Sequence, residues 1–540
     1  FAKGGEYSPF WSDIHLVVDF ERDGERLRQF PGAVIRNPQY YFQPGLTWPL
    51  RTQGGFNPRV LPAGCAFGHK GPAVIEDRST SRPSDRLGML LTRVSLHSIE
   101  LVATFGSYEV GAVGRLPDWS AQLGSKLSAA TQPIVEYKRR LDGVDETSRL
   151  FCTPIGYDSD SASDQERRLV AEAVSLLEQW DACDSAASHV LKVDGGALAM
   201  LDEDVGPIPV RPGVGTRSAG TPRYVDAALE EEATSSGRSV RDLVDAADRT
   251  WIEARPRMRE RADTLLSYLV GCAFGRWDVR IGRDPSSAPA VAEDPFAPVP
   301  VCPPGMLVGP DGFPAREAPA GYPLTLTPQR LLVDEVGHPA DIVAATEAAA
   351  AALVDDPGAL LDELTGLLGV ADVRTYLRKR FFKEHLSRYS KSRRKAPIYW
   401  PLTIASRGWT VWLYAPVLTR EVLYGVAAHA ERRWNGAEAE MRRLESAQLQ
   451  ATDDPARARS LAIRLDTERR LGEELRTLHK LLAAVADSGW VPDLDDGIVV
   501  CAAPVTDALL DWPKDPGEAR AQLRAGTLAW SAAHRWREAL

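Results

Sequence analysis

Five apolar residues, Leu471, Leu475, Leu478, Leu482 and Val485, recur at alternating steps of four and three. Only an α-helix lays such residues along one narrow seam, and a seam that narrow needs a second helix against it. Asp453-Asp454-Pro455 supplies a turn just upstream, because Asp favours turns and Pro fits a helix only in its first turn. The pattern predicts a long helical hairpin, used as a spacer.

The rest of the chain reads as an α+β protein: a mixed-β module first, then mainly helical domains with the long hairpin. At about 150 residues per domain, 540 residues suggest three or four packed units. With 44% hydrophobic and 26% charged residues, disorder throughout, collagen and a disulfide scaffold are excluded. Residues 1–150 alternate short β-like pieces, such as Ile14–Phe20, with helix. From Asp85, one helical stripe holds Leu87, Leu90, Leu91, Val94, Leu101, Val102 and Phe105, with Ser84 as its cap. Residues 151–283 form a helical spacer, opened by the capping box Ser163-Asp164-Gln165-Glu166 and closed by a helix from Pro256 to Cys272. Residues 284–340 are too rich in Pro and Gly for either regular period and make an irregular crossing. Residues 341–419 combine helix with a β-hairpin, and 420–540 hold the long hairpin and a C-terminal segment. Six cysteines lie far apart with no CxxC pair, which argues against zinc ribbons and suits a reducing cytoplasm. No apolar run approaches about 18 residues, so no membrane helix is expected. The chain opens at Phe1 without a secretory leader pattern, as a cut within a larger protein would leave it.

Net charge is −10, so the molecule as a whole is no glove for nucleic acid. Residues 374–395 reverse that sign, with ten Lys or Arg against one Glu. Leu377, Phe381, His385 and Tyr389 recur at four-residue steps, giving a helix with one packed side. Lys391, Arg393, Arg394 and Lys395 leave it together as a candidate phosphate grip. The bland alternative is a solvated face. The following hairpin, with Tyr399, Trp400, Trp409, Trp412 and Tyr414, suits either base stacking or a core, and core is the commoner fate. Near the front, Arg36, Asn37, Gln39 and Tyr40 carry the guanidinium, amide and ring groups that read base edges. Pro117-Asp118 followed by Glu136-Tyr137-Lys138 matches the metal-nuclease pattern PD…ExK, a match short enough to arise by chance. Asp493-Leu494-Asp495-Asp496-Gly497 reads as a turn rather than a calcium loop. No metal site, nucleophile elbow, Walker loop or Rossmann fingerprint is found.

Several segments, in order, resemble the C-terminal part of large adenine-specific DNA methyltransferases. They are Phe1-Ala2-Lys3-Gly4-Gly5-Glu6-Tyr7-Ser8-Pro9, Tyr41–Trp48, Ser107–Pro117, Phe274–Arg280, Ser392–Leu402 and Pro492–Gly497. The family comprises the Eco57I-like type IIG enzymes and, more closely, the PglX-like methyltransferases of BREX and those of DISARM phage-defence systems. The resemblance implies N6 methylation of adenine in double-stranded DNA with S-adenosylmethionine as donor, and makes residues 1–150 a target-recognition module. The family's (Asn/Asp/Ser)-Pro-Pro-(Tyr/Phe/Trp) tetrapeptide is missing here; the paired prolines stand in Cys302-Pro303-Pro304-Gly305. The glycine-rich donor motif is missing too, and both normally precede the matched segments. The expectation is a DNA-recognition part without catalytic residues, its S-adenosylmethionine bound by a missing N-terminal half. Two alternatives stay open: a type IIG enzyme that also cleaves DNA, and a non-catalytic module docking other defence-system proteins.

Overall fold

The computed structural model describes residues 1–5, 7–29, 32–52, 55–76, 82–103, 106–118, 120–154, scattered helical positions between 172 and 187, 255–391, 394–451 and 454–527. The architecture is α+β, with long helices and small antiparallel sheets. The chain divides into two compact units, Phe1–Met258 with Asp284–Met306 and Arg259–Arg283 with Leu307–Leu540. Among the described residues, no helix is long and apolar enough to cross a membrane.

The first unit is built on strand Gly45–Thr47, flanked antiparallel by Arg59–Leu61 and Ala73–Val74. Leu46 faces Val60 and Val74 across these pairings. Trp48 is fully buried, donates its indole N–H to the Tyr108 carbonyl at 2.8 Å and packs on Phe56. Two expectations need correcting. Ile14–Phe20 forms no strand: Ile14 is buried and Val17 exposed, and no strand pairs with the segment among the described residues. A short apolar run fits a strand; it does not provide the neighbour that a strand needs.

The helix expected from Asp85 is two helices, Pro83–Leu91 and Arg93–Val102. Thr92 interrupts them at φ −64°, ψ 148°. Its hydroxyl donates to the Met89 carbonyl at 2.8 Å and accepts from the Ser95 amide at 3.3 Å. One side chain therefore ends the first helix and caps the second. Pro83, not Ser84, opens the first, and beyond the break Ile99 stays buried while Leu101 is 72% exposed. Phe105 and the capping box at 163–166 lie outside the described residues. Trp180 packs edge-on against Phe10, with ring centroids 5.6 Å apart.

Helix Pro83–Leu91 lies against the long helix Ser120–Asp142 through reciprocal glycines. A Cβ on Gly88 would come 2.6 Å from Leu127 Cβ, and one on Gly124 would come 2.7 Å from Asp85 Cβ.

In the second unit, strand Thr410–Tyr414 is central, between Leu332–Val333 and Tyr399–Thr403. Pro401 is tolerated because its strand lies at the sheet's edge, where its carbonyl takes the Leu510 amide. The predicted helical hairpin is present as Arg420–Leu449 and Pro455–Asp487, with Leu475, Leu478, Leu482 and Val485 buried in its seam. Asp454 caps the second helix by accepting the Arg457 amide at 2.9 Å, and Pro455 occupies its first turn. The helix expected from Pro256 spans Arg255–Ala273. Downstream, the Pro- and Gly-rich chain is pinned by a buried guanidinium. Arg330 donates to the carbonyls of Phe274, Ala315 and Arg316 at 2.7–3.2 Å.

The aromatic hairpin is core. Tyr399, Trp400, Trp409, Trp412 and Tyr414 are all buried, and Phe274 stacks on Tyr399 at 4.7 Å. His385, fully buried, joins this stack and accepts the amides of Ile398 and Tyr399 through Nε2 at 2.9 and 3.3 Å. Accepting twice requires a neutral ring with its proton on Nδ1. Burial first, then the Arg276 and Arg388 charges, hold its pKa well below the usual imidazole value.

Substitutions at Gly88 and His385 test this packing. Gly88→Ala forces the two helices of the first unit apart and destabilises by about 1–3 kcal/mol. A denaturation midpoint unchanged by the substitution contradicts that close approach. Because the folded His385 resists protonation, the unfolded imidazole binds the proton first, and stability declines as pH falls below about 6.5. His385→Leu lowers stability at neutral pH by about 1–3 kcal/mol, since two buried amides lose their acceptor. It also removes part of the acid dependence. Denaturation midpoints for both proteins at pH 7.5 and 5.5 check this, and identical pH dependence refutes it.

Candidate nucleic-acid interface

The basic segment is helical, as Val373–Tyr376, a π-turn Leu377–Phe381 and Phe382–Arg388 in succession. Leu377, Phe381 and His385 are buried on its packed side, and Tyr389 is half-buried. Its cations are not a uniform solvated ring. Arg374 bridges Asp334 and Asp341, at 2.5 and 2.6 Å, and Arg378 joins it on Asp334. Arg388 and the Tyr376 hydroxyl share Asp263. Arg380 donates to the Leu368 carbonyl at 2.7 Å. Arg276, from outside the segment, lies 4.1 Å above the Trp277 ring and donates to the Tyr389 hydroxyl. Lys379 and Lys383 are exposed.

Beyond the helix, Ser390–Lys391 and Arg394–Lys395 form a two-residue antiparallel ladder, with Lys391 opposite Arg394 and Ser390 opposite Lys395. The ladder places Ser390, Lys391, Arg394 and Lys395 on one short ribbon. Lys395 Nζ lies 3.0 Å from Asp515 Oδ2, so this lysine is ion-paired, half-exposed, at the ribbon's base. Arg393 lies outside the described residues.

In the first unit, the front cluster sits on a bent loop. Asn37 adopts a left-handed conformation, φ 55°, and leads into the 3-10 turn Pro38–Tyr40. Asn tolerates that region better than most residues, which is why it can stand there. Arg36, Asn37, Gln39 and Tyr40 are all exposed. Three of them, Arg36, Asn37 and Tyr40, line one cleft of about 820 Å³, together with Tyr41, Phe67 and His69. Gln39 stands beside it on the turn, where its backbone carbonyl accepts from the Gln43 side-chain Nε2 at 2.8 Å. Tyr41 is fixed by edge-on contacts to Phe20 and Phe67, at 5.6 and 5.1 Å.

Part of the cleft's lining went unread in the sequence. Phe67-Gly68-His69-Lys70-Gly71 closes a tight turn through the Gly71 amide and Gly68 carbonyl, at 2.9 Å. A phenylalanine just before a G-x-x-G turn that holds His69 and Lys70 was the available signal. A second concavity of about 640 Å³ holds Arg51 and Arg115, and Glu109 lines both. The chain around Arg51 is placed by backbone pairing: the Tyr108 amide meets the Leu50 carbonyl at 2.7 Å, and Arg51 bridges Ser107.

The nuclease-like pattern does not assemble. Asp118 is ion-paired with Arg86 at 2.7 Å. Glu136 is exposed in the middle of helix Ser120–Asp142, where it accepts from Gln132. Lys138 points inward and donates to Ser8 Oγ and the Pro9 carbonyl, both at 2.7 Å. Burial draws its ammonium down to about 7. Two residues apart on a helix, Glu136 and Lys138 cannot share the face that a metal-held water needs. Among the described residues, no three His, Cys, Asp or Glu side chains are grouped to hold a metal. Leu494–Asp496 is a 3-10 turn, as expected of that acidic run.

No family model matches the chain. Over 117 residues, 22% of its length, it is 30% identical to the adenine-specific methyltransferase BrxX of Escherichia coli O9:H4 (strain HS). The matched stretch amounts to 10% of that protein, so the chain spans about a tenth of the curated relative's length. Over this stretch the chain is similar to an adenine-specific methyltransferase, which points to a methyltransferase-related family.

Proposed function

We propose that this chain is the DNA-recognition part of a site-specific adenine N6 DNA methyltransferase of a restriction-modification or phage-defence system. The similarity to an adenine-specific methyltransferase carries the reading. Methyl transfer is assigned to a catalytic domain outside this chain, which binds S-adenosylmethionine; the sequence here holds neither the Pro-Pro tetrapeptide nor the glycine-rich donor motif. In this reading, Arg36, Asn37 and Tyr40 contact bases at the cleft they line. The segment Lys391, Arg393, Arg394 and Lys395 contacts phosphates. Guanidinium forks suit phosphate oxygens, and contacts of this kind position a protein without reading sequence.

Duplex binding by the 540-residue chain should weaken with salt, at about −0.9 in log K per log salt for each phosphate neutralised. Replacing Lys391, Arg393 and Arg394 by Glu leaves the Lys395–Asp515 pair in place and should flatten that slope by about 0.9 for every phosphate the ribbon no longer holds. An unaltered slope removes the ribbon from the interface. For the whole protein, the assay is mass spectrometry of substrate DNA after incubation with S-adenosylmethionine. N6-methyladenine is expected, and its absence overturns the assignment.

A further inference from the structure

We propose that Arg276 is a positioning residue for the basic ribbon: it touches no DNA itself and fixes how the ribbon leaves the fold. This rests on the reading that the ribbon contacts phosphates and specifies how that contact is prepared. A ladder of two residues per strand is too short to hold its own shape, since even longer isolated hairpins are marginal in water. Its geometry is therefore set at its base. There the Ala396 amide meets the Tyr389 carbonyl at 3.0 Å, and the Ser390 hydroxyl donates to the Leu386 carbonyl at 2.6 Å. Tyr389 is the residue on which the ribbon stands.

Arg276 holds that tyrosine twice over. Its guanidinium lies 5.1 Å from the Tyr389 ring centroid and donates to the Tyr389 hydroxyl, while the Trp277 ring lies 4.1 Å away. Arg276 is placed in turn by backbone. Helix Arg255–Ala273 is followed by Gly275 at φ 68°. The Arg276 amide meets the Gly271 carbonyl and the Gly275 amide meets the Cys272 carbonyl, both at 2.8 Å, the paired bonds of a Schellman cap. A Cβ on Gly275 would collide with the Arg330 guanidinium, and one on Gly271 with the Trp277 ring, so neither position admits a side chain. At 8% exposure, Arg276 is too enclosed to reach a phosphate. Lysine would keep the charge but lack the planar fork that stacks and donates at once, so Arg276→Lys isolates the positioning role.

The test is a double-mutant cycle on the 540-residue chain, read by fluorescence anisotropy at one salt concentration. A mixed-sequence duplex suffices as probe, because phosphate contacts carry no sequence. A loosely held ribbon has to be ordered on binding, so Arg276→Lys should weaken binding about tenfold. In a background already carrying Lys391→Glu and Arg394→Glu, the same change should cost nothing further, since the contact it prepares is gone. A merely structural defect would cost the same in both backgrounds. Tyr389→Phe deletes one hydroxyl, keeps the ring and should weaken binding about threefold, again only where the ribbon is intact. Affinity that neither substitution alters, or an equal loss in both backgrounds, overturns this inference and leaves the phosphate contact standing. Binding that Lys391→Glu with Arg394→Glu leaves unchanged overturns the phosphate contact itself.

Discussion

Three carboxylates organise the second unit. Asp334 and Asp341 are buried, and the guanidiniums that neutralise them come from one helical segment, through Arg374 and Arg378. Asp263 does the same for Arg388 and the Tyr376 hydroxyl. A buried ion pair is poor evidence of net stability, because desolvation offsets most of the attraction. Breaking one is a different matter: a buried charge left alone costs about 3–5 kcal/mol. These pairs therefore fix the rotation and register of the segment 373–388. That in turn delivers His385 to the amides of Ile398 and Tyr399 and fixes where the aromatic hairpin begins. The sheet's core follows from the placement of its arginines.

The same pairs change what a basic run means. Read along the chain, ten cations in 22 residues look like a polyanion site. In three dimensions, Arg374, Arg378, Arg388 and Lys395 are each matched by an acid distant in sequence, from Asp263 to Asp515. Linear density of charge records how many partners a segment needs and is silent on whether those partners are phosphates or carboxylates. The front cluster, with one arginine, carried no such density, and yet it lines a cleft.

What the sequence made legible was periodic and local. The seam Leu475, Leu478, Leu482 and Val485, the helix start at Pro455 and the helix begun near Pro256 were readable because each depends on residues within a turn or two. The break at Thr92 was not, although a single hydroxyl makes it: Thr fits a helix interior and a cap alike, and the choice is made by what Met89 and Ser95 offer it. Ile14–Phe20 failed for the opposite reason, since the apolar run was present and a partner strand was not found among the described residues. At the cleft, Arg36, Asn37 and Tyr40 were identified by chemical type alone. Arg51, Phe67, His69, Glu109 and Arg115 escaped because a concavity gathers residues from separate loops that no period connects.

The overall charge of −10 is no obstacle to gripping a polyanion, and the reason is distance. At physiological ionic strength the screening length is about 8 Å, so an acid farther from a bound phosphate than that has little say in its energy. Acids already paired with arginine inside a fold count for less still, because each presents nearly neutral surroundings to a distant charge. What governs binding at any one spot is the balance within one screening length. At the first unit's two concavities, which share Glu109, the cations are Arg36 in one and Arg51 and Arg115 in the other. A single carboxylate among several cations discriminates between guests more than it repels them. It penalises a phosphate placed on top of it and rewards an amine, and opposed preferences of that kind are how a site discriminates.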